Sequence, residues 1–423
     1  MKKNQRYKKP EEELLTFKMI LELNNNWEEY VKKYKVRDVE KYEVEKMLSC
    51  RNPEKIGYTT YLCSDCGEAH VLTHSCKSRI CSSCGKRHAD EWAEKINAEL
   101  YNVTYRHIIL TISDKLWKYF EGNSELQKVM LDTASEVMKK IVNNFSKSNE
   151  EIVPGMILVL HPFGKDLKTN MHVHMLMTEG GLSKGGNWVE VPYMDYGTIR
   201  KKWQYAILTN LKKVSGKDKE LKKIIDWCFK ELKKGFVIQA KRRIKGGKKQ
   251  VIRYMARYVR HPAIADSRIV GYDTKNVTFI YEKDGKEVKV VMDKFEFIHN
   301  VIKHIPSKNF KMVRYFGLHS RRIKKKVKKI MGKLGKVIKV LIRPFNWRKN
   351  IEKYTGKDPL KCKKCGGDLY LYKVTYRTSS GEIKEYGGWE CFVKSSGLRS
   401  FEEDVEIEKK QNGEFVWSQL CLQ

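Results

Sequence analysis

Three groups of residues in this sequence have the types and the spacing to do chemistry. His172-Val173-His174 sets two imidazoles at i and i+2. In a strand the side chains alternate, so both rings face one side while Val173 and Met175 face the other. Two imidazoles on one face are a pincer for a divalent ion. With 11 histidines in 423 residues, chance yields an H-x-H about 0.3 times, so the motif is suggestive alone and needs supporting context. Tyr254 and Tyr258 form the second group, i and i+4 in RYMARYVR, on one face if the segment is a helix. A phenol is a poor nucleophile at its ordinary pKa of ~10. A metal-polarised phosphate and the guanidinium groups of Arg253, Arg257 and Arg260 would ease its attack on phosphorus. Y-x3-Y also occurs at Tyr30/Tyr34, Tyr101/Tyr105 and Tyr372/Tyr376, so the basic context, not the spacing, distinguishes the pair.

The third group is cysteine. There are 11, an odd number, and six lie between residues 50 and 84. With no export signal visible, thiolates held by metal fit better than disulfides. Cys63-x2-Cys66 and Cys81-x2-Cys84, each followed by glycine, read as the four ligands of one structural Zn²⁺ with no open coordination position. Cys50 and Cys76, with His74 and His88, are left over; they could complete a second site or replace one of the four. Cys362-x2-Cys365 is half of a further zinc site, with Cys391 and Cys421 available as partners, or else a pair of bystander thiols. Lys77, Arg79, Lys86 and Arg87 make the cysteine segment a DNA-contacting surface.

The elements that must position these groups follow from periodicity. Leu14, Leu15, Met19, Ile20 and Leu23 recur at helical spacing until Asn24–Asn26 stops them. Residues 50–88 lose apolar periodicity, as a small metal-held module does. His107–Ser113, Gly155–Leu160, Met171–Thr178, Gly235–Ala240 and the run YLYKVTY read as strands. Leu126–Val142, Lys201–Leu211, Leu221–Leu232 and Val251–Val259 read as helices. Asp284-Gly285 between two alternating runs marks a hairpin. The expected architecture is α+β, with an antiparallel or mixed sheet rather than a doubly wound one. Residues 318–350 hold thirteen Lys or Arg and no acid, yet keep an apolar stripe (Ile323, Val327, Ile330, Leu334, Ile338, Leu341): a helix with one packed face and one basic face. Five regions are expected: 1–48 helical, 49–100 zinc-binding, 101–310 catalytic, 311–355 basic helical, and 356–423 with a CxxC module and an acidic tail.

Lys plus Arg number 85 against 51 Asp plus Glu, a net charge of +34. Such a chain favours a polyanionic partner, nucleic acid before a membrane surface. With 41% hydrophobic residues it can build a core, which excludes general disorder. No run of 18 apolar residues exists and the N-terminus has no apolar signal core; a cytoplasmic, nucleoid-associated protein is expected, neither secreted nor membrane-bound.

Three phrases, HPFGKDLKTNMHVHMLMTEGGLSKGGNW, YMARYVRHPAIADSRI and FIHNVIKHIPSKNFKMVRYFGLHS, resemble the rolling-circle transposases of the insertion-sequence ninety-one group. SCKSRICSSCGKRHADEW resembles the zinc-binding domain that precedes them. The similarity runs in order from about residue 45 to 330. The resemblance implies a His-hydrophobe-His (HUH) endonuclease fold: a central antiparallel sheet with flanking helices and the histidine pair on a central strand. It implies that His172 and His174 hold Mg²⁺ or Mn²⁺ and that Tyr254 or Tyr258 attacks single-stranded DNA at the element's ends, leaving a 5′-phosphotyrosine and a free 3′-OH. The other tyrosine would serve the second cleavage. A third ligand is usual in that superfamily; Asp166 is the first candidate, with His161 and Glu179 as alternatives. Arg79, Arg253, Arg257, Arg260, Arg268, Arg321, Arg322, Lys324 and Lys325 are the expected DNA contacts, and the Arg314-Tyr315 pair matches a family phrase for contact or packing. Hairpin DNA at the ends, target DNA and a host helicase are the implied partners, since no G-x4-G-K-[ST] phosphate loop is present. One departure is Cys81-Ser82-Ser83-Cys84, where family members often carry C-P-x-C; it removes no ligand. A replication initiator or relaxase would share this chemistry. A non-catalytic zinc-module DNA-binding protein, or a hydrolytic H-x-H metalloenzyme, would not.

Overall fold

The computed structural model of the chain describes residues 14–245, 262–336, 348–349, 351–352, 356–378 and 381–396, with backbone alone for 241–245. Helices α1 (Phe17–Glu22), α2 (Asn26–Lys33) and α3 (Asp38–Leu48) come first, then α4 (Pro53–Ile56), β1 (Tyr58–Cys63), β2 (Ala69–Thr73) and α5 (Ser82–Glu99). The central stretch runs β3 (Thr104–Thr111), α6 (Asp114–Phe120), α7 (Ser124–Asn144), β4 (Ile152–Phe163), β5 (Thr169–Ser183), β6 (Trp188–Glu190), α8 (Tyr196–Val214), α9 (Lys219–Glu231) and β7 (Ile238–Lys245). After it come β8 (Ile269–Tyr272), β9 (Asn276–Lys283), β10 (Lys286–Asp293), the helix Lys294–Ile302, β11 (Val313–Gly317), the helix Lys324–Lys333, β12 (Leu369–Arg377), β13 (Ile383–Gly387) and the helix Trp389–Ser396. The chain divides into two compact units, residues 1–48 with 77–340 and residues 49–76 with 341–423.

The larger unit is built on a six-stranded sheet, ordered β11-β4-β5-β3-β7, with β6 beside β5. All of its pairings are antiparallel. The two faces are covered differently. On one, Ile108, Leu110, Leu158, Leu160, Val173, Met175 and Met177 meet α7 (Met130, Ala134, Met138, Ile141) and α8 (Ile199, Trp203, Ile207, Leu211). These helix positions fall three or four apart, so each helix presents one apolar stripe to the sheet. On the other face Tyr105, Ile157, Val159 and Leu176 meet α5 (Ala89, Ala93, Ile96) and the basic helix (Val327, Met331). A strand buried on both faces reads as a continuous apolar run, and MHVHMLMT is such a run apart from its two histidines.

In the same unit β8, β9 and β10 form a small antiparallel sheet. Its expected hairpin turns at Asp284 and Gly285, both at positive φ (50° and 78°), the backbone a tight two-residue turn requires. The N-terminal helices pack here. Phe17 meets Phe297 edge-on, Tyr30 Oη lies 3.1 Å from His299 Nδ1, and Arg37 donates to the carbonyls of Lys303 and Ile305. Thr16 caps α1, and Asn24 and Asn25 at φ 52° separate it from α2, as the asparagine run suggests.

The smaller unit holds a four-stranded antiparallel sheet, β13-β12-β1-β2. Tyr58 faces Thr375 and Cys63 faces Leu369. Within the expected 49–100 region, β1 and β2 pair with the C-terminal strands, while α5 buries its alanine face on the large sheet.

Candidate metal centre

His172 and His174 lie on β5, between β4 and β3 in the large sheet. His161 on β4 is the direct cross-strand partner of His172, so its ring emerges on the same face. His161 Nδ1 is 2.9 Å from His172 Nε2, and His172 Nε2 is 3.1 Å from His174 Nε2. Nitrogens bound ~2.1 Å from one metal are ~3.0 Å apart at adjacent octahedral positions and ~3.4 Å apart in a tetrahedron. The two observed separations fit adjacent positions about one ion, and the ligand nitrogens of all three rings lie within 4.8 Å of one another.

The outward nitrogens are held as well. His172 Nδ1 lies 2.7 Å from the Asn170 carbonyl, and His174 Nδ1 lies 3.0 Å from His107 Nε2 on β3. Contacts of this kind fix ring orientation and tautomer. The three rings are 2–9% exposed. Burial pushes all three imidazoles below their ordinary pKa, His161 and His174 furthest; neighbouring histidines add to the effect at those two, while the Asn170 carbonyl opposes it at His172. They are therefore neutral near pH 7, with lone pairs free for a metal. Phe163 lies against His161 and His304 at the rim, and His304 Nε2 reaches the Leu167 carbonyl at 3.1 Å.

Asp166, the first candidate for third ligand, does not join this group, and His161 does. The turn Gly164–Lys168, with Leu167 at φ 67°, directs Asp166 to the Lys168 amide and toward Arg268. Glu179 falls on the opposite face of β5, in a buried ion pair with Arg106 (Nε to Oε1 2.6 Å). Tyr254, Tyr258, Arg253, Arg257 and Arg260 lie outside the described residues.

The other basic positions divide. Arg321 and Arg322 are exposed, with Arg321 stacked over the Tyr315 ring, and Lys325 is exposed on the basic helix. Lys324 is paired with Glu99 at 2.8 Å. Arg268 is committed to packing: it donates to the carbonyls of Ile280 and Lys165 and covers Phe279. Arg79 is half-buried, and its backbone N–H is bound by Glu43. Tyr315 accepts from Trp92 Nε1 and Arg314 pairs with Asp132, so both serve packing.

The cysteines are grouped differently from the expected set of Cys63, Cys66, Cys81 and Cys84. In the smaller unit Cys63 and Cys66 face Cys362 and Cys365, with Cys63 Sγ 3.4 Å from Cys365 Sγ and Cys66 Sγ 3.8 Å from Cys362 Sγ. Cys50 and Cys76 also lie together in that unit (Cys76 N to Cys50 Sγ 3.5 Å). Cys81 and Cys84 sit at the start of α5 in the larger unit. Sequence reasoning missed two features. The partner of Cys63 and Cys66 was signalled by a repeated C-x2-C-G phrase. His107 carried no signal beyond being a polar residue at the head of an apolar strand.

Known proteins bear on both units. The family profile described as "Putative transposase" matches residues 155–327, and "Transposase zinc-binding domain" matches residues 22–112. The transposase for insertion sequence element IS801 of Pseudomonas savastanoi pv. phaseolicola is 26% identical over 387 residues, 86% of this chain and 91% of that protein. The putative transposase y4qJ of Sinorhizobium fredii (strain NBRC 101917 / NGR234) is 25% identical over 326 residues, 72% of this chain and 81% of that protein. No solved structure gives a significant match.

Proposed function

This chain belongs to the transposase family of the insertion-sequence ninety-one group, and on that premise we propose that it is a metal-dependent tyrosine endonuclease of the rolling-circle type. It cleaves single-stranded DNA at the ends of its element and joins the cut strands to new partners. The observation that carries this reading is the convergence of His161, His172 and His174 on one face of the central strand. Bound there, Mg²⁺ or Mn²⁺ would draw charge from the oxygens of a DNA phosphate and lower the cost of attack at phosphorus.

Tyr254 or Tyr258 supplies the nucleophile. Its Oη–P bond forms as the P–O3′ bond breaks; the phenolic proton leaves to solvent and the 3′ oxygen takes one up. The product is a 5′-phosphotyrosine and a free 3′-OH. Attack by another 3′-OH reverses the step on a new strand and returns the tyrosine. One phosphodiester-type bond replaces another, so transfer needs no nucleoside triphosphate. The second tyrosine allows two ends to be held at once. Hairpin or single-stranded element ends and target DNA are the substrates, and unwinding falls to a host helicase or to supercoiling. His107 acts as a positioning residue for His174. The exposed Arg321, Arg322 and Lys325 contact the DNA backbone, and the zinc-binding segment adds a second DNA-binding surface.

A covalent-adduct assay tests the reading. Purified chain, single-stranded element ends and Mg²⁺ or Mn²⁺ are resolved on a denaturing gel beside Tyr254→Phe, Tyr258→Phe, the double variant and His172→Ala. The expected result is a metal-dependent protein–DNA band, lost in the double variant and in His172→Ala. It should saturate at lower Mn²⁺ than Mg²⁺, because Mg²⁺ prefers an all-oxygen shell. A band that survives the double Tyr→Phe change, or tight DNA binding with no band, would overturn the tyrosine mechanism and favour a binding-only protein.

A further inference from the structure

The zinc-binding segment shared with known transposases ends at residue 112, yet the structure pairs two of its cysteines with residues far beyond it. We propose that Cys63, Cys66, Cys362 and Cys365 together hold one structural Zn²⁺. The ion would staple β1 and β2 to the C-terminal segment across sequence separations of 296 and 302 residues. The zinc-binding segment would then be incomplete without the C-terminal region.

Four observations support the site. The first is sulfur geometry. Thiolates ~2.3 Å from a tetrahedral zinc lie ~3.8 Å from one another, and the cross-pair separations are 3.4 and 3.8 Å. A disulfide would bring two sulfurs to ~2.05 Å. The second is repetition. In one arm the Cys63 carbonyl accepts from Gly67 N (3.1 Å) and Cys63 N donates to the Glu68 carbonyl (3.0 Å). In the other the Cys362 carbonyl accepts from Gly366 N (3.0 Å) and Cys362 N donates to the Gly367 carbonyl (2.8 Å). Gly67 and Gly366 both sit at positive φ, 67° and 79°, where a side chain would be strained. These are two copies of one metal-gripping turn, aimed at each other.

The third is donation to sulfur. His70 Nε2 lies 3.3 Å from Cys362 Sγ and the Gly367 N–H lies 3.4 Å from Cys365 Sγ, the outer contacts that thiolate ligands receive. The fourth is the scarcity of core. Around the four sulfurs the apolar cluster among the described residues is only Cys63, Cys362 and Leu369, with Tyr61 and Leu360 against it, and Phe392 adds a small contact with Tyr370 and Trp389. So small a cluster gives the sheet little stability without a metal. Four soft sulfurs in tetrahedral array select zinc or iron over hard cations, and zinc is the ion named for the matched segment.

The test is metal content of the full-length chain by mass spectrometry. Cys63→Ser/Cys66→Ser and Cys362→Ser/Cys365→Ser should each lose one zinc equivalent, and the quadruple variant should lose the same single equivalent. Cys391→Ser should lose none, and Cys365→His, which keeps a zinc-competent donor, should retain the ion. In unmutated chain, progressive zinc extraction should make all four cysteines reactive to an alkylating agent in one step, a readout that survives if the variants do not fold. Loss of two equivalents in the quadruple variant, no loss from the C-terminal pair, iron in place of zinc, or separate release of the two pairs would each overturn the proposal. None of these readouts depends on DNA cleavage.

Discussion

His107 makes a prediction out of a single hydrogen bond. If His174 binds metal through Nε2, its Nδ1 carries the proton and donates to His107 Nε2, 3.0 Å away. His107→Phe keeps an aromatic ring in place and removes that acceptor. Removing such an orienting partner weakens metal binding about 10–100-fold, so the Mn²⁺ dissociation constant, read by calorimetry on the metal-free chain, should rise by that factor. Unchanged affinity would mean that His107 only packs. His319 makes a prediction about acid. It is buried on the face of the sheet that carries Tyr105 and Leu176, 3.2 Å from the Tyr105 hydroxyl and stacked on Tyr101. Burial pushes its pKa down to about 4. Since the folded value lies below the unfolded one, the unfolded chain gains protons first as pH falls. Stability is unaffected above pH ~6.5 and declines between there and pH 4, by up to about 3 kcal/mol for this one group. His319→Gln does not titrate, so urea unfolding at pH 7 and pH 4.5 should differ less for it than for the unmodified chain. Equal pH sensitivity in the two proteins would place the acid response elsewhere.

At the scale of elements, the basic helix Lys324–Lys333 shows one sequence doing two jobs. Val327 and Met331 are buried in the sheet cluster, while Lys325, Lys326, Lys328 and Lys329 are exposed. The 3.6-residue period separates the two sets onto opposite faces. Charge removal should therefore leave the fold intact. Lys325→Ala/Lys328→Ala/Lys329→Ala is expected to reduce the salt dependence of DNA affinity by about one unit of slope for each phosphate no longer neutralised, with an unchanged far-UV spectrum. An unchanged slope would show that the helix does not touch DNA. The strands were legible by the same logic of period: β3, β4, β5, β9, β10 and β12 stand where apolar runs suggested, as do α7, α8 and α9, whereas β7 shares only Ile238–Ala240 with the expected Gly235–Ala240 and runs on through basic residues to Lys245. Among the elements the periodicity did not suggest are β6, β8, β11, β13, α6, the helices Lys294–Ile302 and Trp389–Ser396, and, in residues 50–99, β1, β2 and α5, which formed from a stretch with no readable period. β2 alternates exposed and half-buried residues, and the buried face of α5 is mostly small, Gly85, Ala89 and Ala93 with Ile96 as its one large side chain. Neither leaves a strong hydrophobic signal.

At the scale of the molecule, two of the groups that could hold a metal lie in separate units: the three histidines in residues 77–340, the Cys63, Cys66, Cys362 and Cys365 set in residues 49–76 and 341–423. Their chemistries separate too, since three neutral imidazoles suit an exchangeable ion and four thiolates suit a permanent one. The adduct assay thus reads the first, and the zinc count reads the second.

The sequence by itself determined the antiparallel α+β class, the two-histidine pincer on a strand, the zinc character of the chain and the family. These are local properties of type and period, and a strand's alternation already puts His172 and His174 on one face. Only the tertiary structure decided the partners. That His161 completes the triad and Asp166 does not depends on the register of β4 against β5, where a shift of one residue would turn the ring to the other face. That Cys63 and Cys66 meet Cys362 and Cys365 depends on β1 pairing with β12. Spacing along the chain carries no information about a site closed by long-range strand pairing.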